Sequence, residues 1–133
     1  MSQTDKESQR WFEQAELDLA DARYLLDGNR YNTACFMAQQ AAEKSVSAYL
    51  YEQDVEDVWG NSLADLCEDA GMFDQTFQVL RFSAALLDKY FYLTRYPRYL
   101  PGGIPSQCFD QEEAERAVKL ASSVIEFVRE RLN

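Results

Sequence analysis

The segment Leu86–Arg98, LLDKYFYLTRYPR, places an apolar helix directly before a proline. Proline lacks a backbone N–H and crowds the preceding residue out of the helical region, so Tyr96 is predicted to be the last helical residue or the first beyond the helix. Arg95 then lies at a helix end, where its guanidinium meets free carbonyl groups and an irregular segment able to line a cleft. This helix end is the first place to look for a functional site.

Apolar residues recur at the helical period along the chain, and no stretch has the alternation of a β-strand. The predicted helices run from Gln9 to Gly28, from Asn32 as the cap to Tyr51 or Glu52, from Asn61 or Ser62 to Gly71, from Asp74 to Arg95 as the longest, and from Asp110 to Leu132. We therefore expect an all-α, antiparallel (up-down) bundle of four main helices plus one short helix, as a single domain over residues 1–133 with residues 1–8 frayed.

Composition narrows the classes of function. The 133 residues carry a net charge of −10, which repels polyanions and disfavours generic DNA binding. The three cysteines are widely spaced and no histidine accompanies them, so no metal site and no cofactor are expected. Without histidine there is no Ser-His-Asp or Cys-His system, and any proton transfer would fall to other side chains. No apolar run is long enough for a bilayer, so we predict a cytoplasmic protein with no membrane contact.

Three segments together resemble the HEPN domain family (higher eukaryotes and prokaryotes nucleotide-binding domain). They are YNTACFMAQQAAEKSVSAYL at 31–50, WGNSLADLC at 59–67 and LLDKYFYLTRYP at 86–97, and an acidic, alanine-rich last helix follows them. The resemblance implies a small helical bundle that forms a homodimer, with a cleft at the dimer interface. Active members are metal-independent ribonucleases with an Arg-x4–6-His motif, whereas others bind nucleotides or pair with a nucleotidyltransferase in toxin-antitoxin-like systems.

The resemblance carries over to individual residues only in part. Arg95 matches the arginine of the family motif, but the histidine position falls within Leu100, Pro101 and Gly102. Asn61 stands where relatives often carry a second histidine, and Arg98 stands where they often carry aspartate. The arginine is therefore kept while the general acid/base of the ribonuclease is missing, so we assign no catalytic residue and lean away from an enzyme.

The candidate nucleotide- or phosphate-binding residues are Arg95, Arg98, Tyr96, Asn61, Gln40, Glu43 and Lys44. The planar donor fork of Arg95 suits phosphate oxygens, although a helix cap with a salt bridge to Glu43 or Asp88 is an equal alternative. Arg98 could add a second positive charge or be a solvated surface residue. Glu43 and Lys44 could face the same cleft, or be solvated, or be paired across a dimer.

Three functions are compatible with the sequence. The preferred one is a non-catalytic, homodimeric HEPN module that binds a nucleotide or an RNA phosphate, a partner nucleotidyltransferase, or both. A ribonuclease that uses Tyr99 or Glu43 in place of histidine is the enzyme alternative. A purely structural protein with an acidic docking face is the third. The homodimer is expected because the Asp74–Arg95 segment carries Phe77, Phe82, Phe91 and Tyr92 in addition to its core stripe, more than one bundle face can bury.

Overall fold

The computed structural model describes residues 2–58 and 62–133. In this part of the chain all regular secondary structure is helical, and loops join the helices. Its α-helices are α1 (Gln3–Asp27), α2 (Tyr31–Glu52), α3 (Leu63–Gly71), α4 (Arg81–Asp88), α5 (Tyr90–Leu93), α6 (Pro105–Cys108) and α7 (Gln111–Arg129). Short 3₁₀ helices lie at Gln75–Leu80 and Pro97–Tyr99. The predicted all-α bundle is confirmed.

Contacts between helix ends give the bundle its up-down order. The hydroxyl of Ser8, near the start of α1, donates to the carbonyl of Ala48, near the end of α2, at 2.7 Å. The side-chain amide of Asn32, at the start of α2, donates to the carbonyl of Thr94, just past α5, at 3.0 Å. Helices α1 and α2 therefore run in opposite directions, as do α2 and α5, and the end of α5 lies beside the first turn of α2.

Helix α2 is the centre of the bundle and packs against α1, α3, α4, α5, α6 and α7. The helix carries small residues that are all buried: Ala34, Ala38, Ala41, Ala42, Ser45 and Ala48. Small side chains let the axes of neighbouring helices approach closely, and the neighbours then supply the large apolar groups. The core around α2 is accordingly formed by leucine, valine and aromatic side chains of the surrounding helices.

Helix α1 begins at Gln3, earlier than the predicted start at Gln9. Ser2 and Asp5 form a reciprocal capping box, which satisfies the free N–H groups of the first turn. The buried Ser8 then ties this turn to α2. The polar composition of residues 1–8 concealed a cap and a tertiary hydrogen bond.

The segment 74–95 is divided, and the prediction of one longest helix there is wrong. Asp74 does act as a cap, but it opens the 3₁₀ helix Gln75–Leu80, after which α4 and α5 are separated at Lys89. The longest helix is α1, with 25 residues. Lys89 keeps helical dihedral angles, φ −59° and ψ −25°, so the chain direction continues into α5.

Phe77 belongs to the core, not to an outer face of this segment. It is fully buried, and its ring lies 4.6 Å from that of Tyr49 and 5.1 Å from that of Phe127. By contrast, Phe82 is 76% exposed and Tyr92 52% exposed. One bundle therefore buries part of the aromatic excess noted in the sequence and leaves the rest at the surface.

The starts of α3 and α7 agree with their sequence signals. Ser62 caps α3 by accepting from the N–H of Asp65, and Asp110 caps α7 by accepting from the N–H of Glu113. The Gly- and Pro-rich segment after Leu100 is a loop until Pro105, which begins the short helix α6. Within residues 2–58 and 62–133, no helix has both the length and the apolar character needed to cross a membrane.

We predict that Ala42→Leu destabilises the bundle by about 1–3 kcal/mol, because Ala42 is fully buried and the added atoms must displace packed neighbours. The matched control is Ala20→Leu on the exposed face of α1, which we expect to change stability by less than about 0.5 kcal/mol. Urea denaturation of both variants measures the difference. Equal stability of the two variants would show that α2 is not tightly packed.

Candidate functional site: an arginine at the end of α5

The helix end at Arg95 has the geometry that the proline predicts. Helix α5 ends at Leu93, and Tyr96 has the extended dihedral angles φ −125° and ψ 119° immediately before Pro97. The N–H groups of Arg95 and Tyr96 both donate to the carbonyl of Tyr92, at 3.2 and 3.1 Å. Tyr96 is thus the first residue beyond the helical turn, and Arg95 projects from its end.

Aromatic rings surround the Arg95 guanidinium. Its central carbon lies 4.3 Å from the ring centre of Phe36, 4.6 Å from that of Phe91 and 4.9 Å from that of Tyr96. Its Nε donates to the carbonyl of Phe91 at 2.9 Å. Ring faces attract a cation without neutralising its charge, so this arrangement fixes the group while it stays positive. The two terminal nitrogens of the guanidinium are the donors that an anionic acceptor could use.

The salt bridge from Arg95 to Glu43 or Asp88, considered from the sequence as an alternative to anion binding, is not formed. Among the residues that the structure describes, no carboxylate lies within salt-bridge distance of Arg95. The helix cap that was considered together with this salt bridge is present, because the Nε–H of Arg95 donates to the carbonyl of Phe91 at the end of α5. Arg95 therefore combines a structural bond through Nε with an uncompensated charge.

Asn32 and Thr94 position this helix end, and the sequence did not single out either residue for this role. Asn32 was predicted to cap α2, but Arg30 occupies the cap position and Asn32 lies inside the helix. Its amide instead holds the Thr94 carbonyl at 3.0 Å, and the buried Thr94 hydroxyl donates to the Tyr90 carbonyl. Asn32 and Phe36 are four residues apart on one helix face, a spacing that would have suggested a shared partner.

A group of exposed tyrosines continues the aromatic surface beyond Arg95. Tyr96 and Tyr99 are 43% and 47% exposed, and their ring centres are 6.2 Å apart. The ring of Tyr92 lies 5.0 Å from that of Tyr99, and the Arg98 guanidinium lies 5.9 Å from the centre of Tyr99. The predicted residues Arg95, Tyr96 and Arg98 thus occupy one surface, and Tyr92 and Tyr99 join them.

The polar residues of α2 divide into two groups. Gln40 donates to Gln39 at 2.7 Å, and the buried Gln39 donates to Glu43 at 2.7 Å and to Asp88 at 3.2 Å. Lys44 instead turns toward α1 and pairs with the buried Asp18. Lys44 is therefore paired inside the chain, an arrangement that differs from each of the alternatives considered from the sequence, which were the cleft, solvent and a pairing across a dimer. Asn61, the remaining candidate, lies outside the described residues.

Asp88 links this network to α3. Its carboxylate accepts from the backbone N–H groups of Leu63 at 2.8 Å and Ala64 at 2.9 Å, which are free donors of the first turn of α3. A carboxylate at a helix N-terminus is also favoured by the helix dipole. Gln39 and Asp88 thus fix α3 against α2 and α4.

Burial raises the pKa of the Glu43 carboxyl above its ordinary value. The hydrogen bond from Gln39 lowers this pKa and the negative charge of Asp88 raises it further, with burial the largest effect. Burial also raises the thiol pKa values of Cys35 and Cys67 to about 12, so these two cysteines stay protonated and unreactive at neutral pH. Glu43 is thus a predicted site residue that holds its proton more tightly in the folded protein.

Proteins of known structure share this architecture. The HEPN domain family model matches residues 8–131. The crystal structure of TT1696 from Thermus thermophilus is 37% identical with a TM-score of 0.87, and the match covers 94% of this chain and 98% of that one. ST0689, an archaeal HEPN homologue, is 29% identical over 100% of both chains with a TM-score of 0.79. A HEPN domain protein of Thermotoga maritima is 32% identical over 91% and 95%, with a TM-score of 0.71.

The family model matches nearly the whole chain, and two of the three similar solved structures are HEPN proteins. The protein belongs to the HEPN domain family. No functionally curated protein matches the sequence significantly.

We predict that Glu43→Gln removes a pH dependence of stability. Because the pKa of Glu43 is raised on folding, the folded state holds this proton more tightly, and the wild type loses stability as pH rises from the unfolded pKa through the raised folded one. Glutamine keeps an acceptor for Gln39 and carries no charge. Urea denaturation from pH 4 to 8 should therefore give a flatter profile for this variant than for the wild type or for the exposed control Glu13→Gln. A profile parallel to the wild type would contradict the assignment.

Proposed function

We propose that this protein is a non-catalytic HEPN module that binds the phosphate of a nucleotide or of an RNA end through Arg95. The observation that carries the proposal is the aromatic enclosure of the guanidinium, with ring centres of Phe36, Phe91 and Tyr96 within 4.9 Å. Because rings rather than a carboxylate hold Arg95, its charge is available to an anion. A preorganised side chain also loses little rotamer entropy on binding.

The tyrosines beside Arg95 suit the other half of a nucleotide. Tyr92, Tyr96 and Tyr99 expose about half of their surface each, and aromatic side chains stack on nucleobases without strong base preference. Arg98 supplies a second cation within the same group. In a chain of net charge −10, such a local combination favours a small nucleotide or a strand end over coating of a long polyanion.

The absence of histidine from the chain argues against the ribonuclease activity of the family. The alternative, a ribonuclease with another proton carrier, is favoured by one observation, the raised pKa of Glu43. The hydrogen bond of Glu43 goes to the buried Gln39, which gives it a structural role as well. Metal-free incubation with labelled RNA distinguishes the non-catalytic module from the ribonuclease. Cleavage by the wild type that is lost in both Arg95→Ala and Glu43→Gln would favour the ribonuclease.

We predict that Arg95→Ala reduces nucleotide affinity at least tenfold, because it removes the charge-assisted donor fork that the aromatic rings hold in place. Calorimetric titration with AMP, ATP and a short single-stranded RNA is the measurement. Arg116→Ala, an exposed arginine of α7, is the matched control and should bind as the wild type does. Equal affinities of wild type and Arg95→Ala, or no binding to the wild type at millimolar ligand, would contradict the proposal.

The module is proposed to act as a cytoplasmic homodimer, with a nucleotidyltransferase as a further candidate partner. The outer face of the 3₁₀ helix and α4 supports the dimer, because Val79 is 71% and Phe82 76% exposed there. A two-fold contact through such a face would bury apolar surface that one bundle leaves in water. Tyr92, 52% exposed on α5, adds further exposed aromatic surface next to the Arg95 site.

We predict a mass of about twice 15.4 kDa by light scattering at micromolar concentration, and a monomer for Phe82→Glu. A buried charge without a partner costs several kcal/mol, enough to separate a dimer of ordinary affinity. Tyr24→Glu, an exposed aromatic on α1, is the control and should stay dimeric. A monomeric wild type would remove the dimer from the proposal and leave the Arg95 site to be tested within one chain.

A further inference from the structure

A cavity of about 450 Å³ lies between α3 and the segment that leads into α4. Its walls include Asp65 and Glu68 from α3 and Gln78 and Arg81 from the opposite side, and Phe77 and Cys67 lie beneath it. Met72, at the end of α3, borders the cavity and is 84% exposed. The cavity is therefore an open groove with an apolar base and an exposed methionine at one end, here called the α3 groove.

The α3 side of this groove is negatively charged. Helix α3, LADLCEDAG, carries Asp65, Glu68 and Asp69 and no basic residue. Within the described part of the chain, none of these three carboxylates forms a salt bridge, whereas Asp18, Glu16 and Asp74 all do. Charges left unpaired around an apolar surface are available to a partner of opposite sign.

From this combination we propose that the α3 groove is a docking site for a basic amphipathic helix of another protein. The apolar side chains of such a helix would enter the groove over Phe77 and beside Met72, as helix-in-groove partners do. Its lysine and arginine side chains would extend along the rim toward Asp65 and Glu68, with their aliphatic stems on the apolar base. Methionine suits this role because its side chain adapts to the shape of a partner.

A second copy of this chain is a poor occupant. A two-fold contact through α3 would place the carboxylates of two identical helices close together, and like charges at an interface oppose association. The proposed dimer face is also a different one, because Val79 and Phe82 each follow a groove residue by one position. Successive residues point about 120° apart in the 3₁₀ helix that holds Val79 and about 100° apart in α4, which holds Phe82. Docking in the α3 groove therefore does not depend on the dimer or on Arg95.

The test uses the full chain with methyl-labelled methionine and two synthetic helices of about five turns, one of leucine and lysine and one of leucine and glutamate. Titration of the leucine–lysine helix should shift the Met72 methyl signal in a saturable way and leave that of Met37, half-buried in α2, nearly unchanged. The leucine–glutamate helix should bind at least tenfold more weakly. A Met37 shift equal to that of Met72, or equal binding of the two helices, would overturn the proposal.

Paired neutralisations locate the interaction. Asp65→Asn with Glu68→Gln should weaken binding of the leucine–lysine helix at least fivefold, whereas the control Glu13→Gln with Asp21→Asn removes the same charge from exposed positions of α1 and should not. Circular dichroism checks that both variants fold. Equal weakening by both pairs would mean attraction to net charge alone, and a Met72 shift that follows protein concentration without any peptide would mean a second copy. Either result would overturn the proposal.

Discussion

The close packing of α2 is the constraint on which the rest of the structure depends. Its small side chains let α1 and α7 approach from two sides and leave the large residues to its neighbours. The same helix presents Asn32, Phe36, Gln39 and Glu43 at intervals of three and four residues, so they follow one face. That face holds the Thr94 carbonyl, the Arg95 guanidinium and the Asp88 carboxylate in turn. Core packing and part of the site geometry therefore come from a single element.

The way Arg95 is held bears on what it can do. A carboxylate partner would fix the guanidinium but would also compete with any anionic ligand. Three aromatic rings and one backbone carbonyl fix it without that competition. The nearby acids have other partners, since Asp88 caps α3 and Glu43 accepts from Gln39. An acidic protein can in this way keep one local positive surface, which the proposed phosphate binding requires.

Short-range signals in the sequence predicted the elements and the helix end well. The Tyr96-Pro97 pair located the end of α5, and Asp110 was correctly identified as the cap of α7. Ser62, one of the two candidates for the cap of α3, is that cap. Each of these effects depends on a few adjacent residues. Contacts between distant residues were not predictable in the same way. Three such contacts depend on which helices become neighbours: the hydrogen bond from Asn32 to Thr94, the capping of α3 by Asp88, and the salt bridge between Lys44 and Asp18. The rings around Arg95 likewise come from α2 as well as from its own segment. Arg95 therefore contacts aromatic rings and does not form the salt bridge that was considered from the sequence.

Phosphate binding at this site requires a guanidinium that is immobilised yet free to bind an anion. Nitrogen-15 NMR of the arginine Nε–H groups, with Arg95→Lys to assign the signal, measures both properties. We expect the Arg95 Nε–H to exchange slowly, because it donates to the Phe91 carbonyl. Its signal should shift saturably on addition of AMP, while that of Arg116 should not. An Arg95 signal that exchanges as fast as that of Arg116 and does not respond to AMP would contradict phosphate binding at this site.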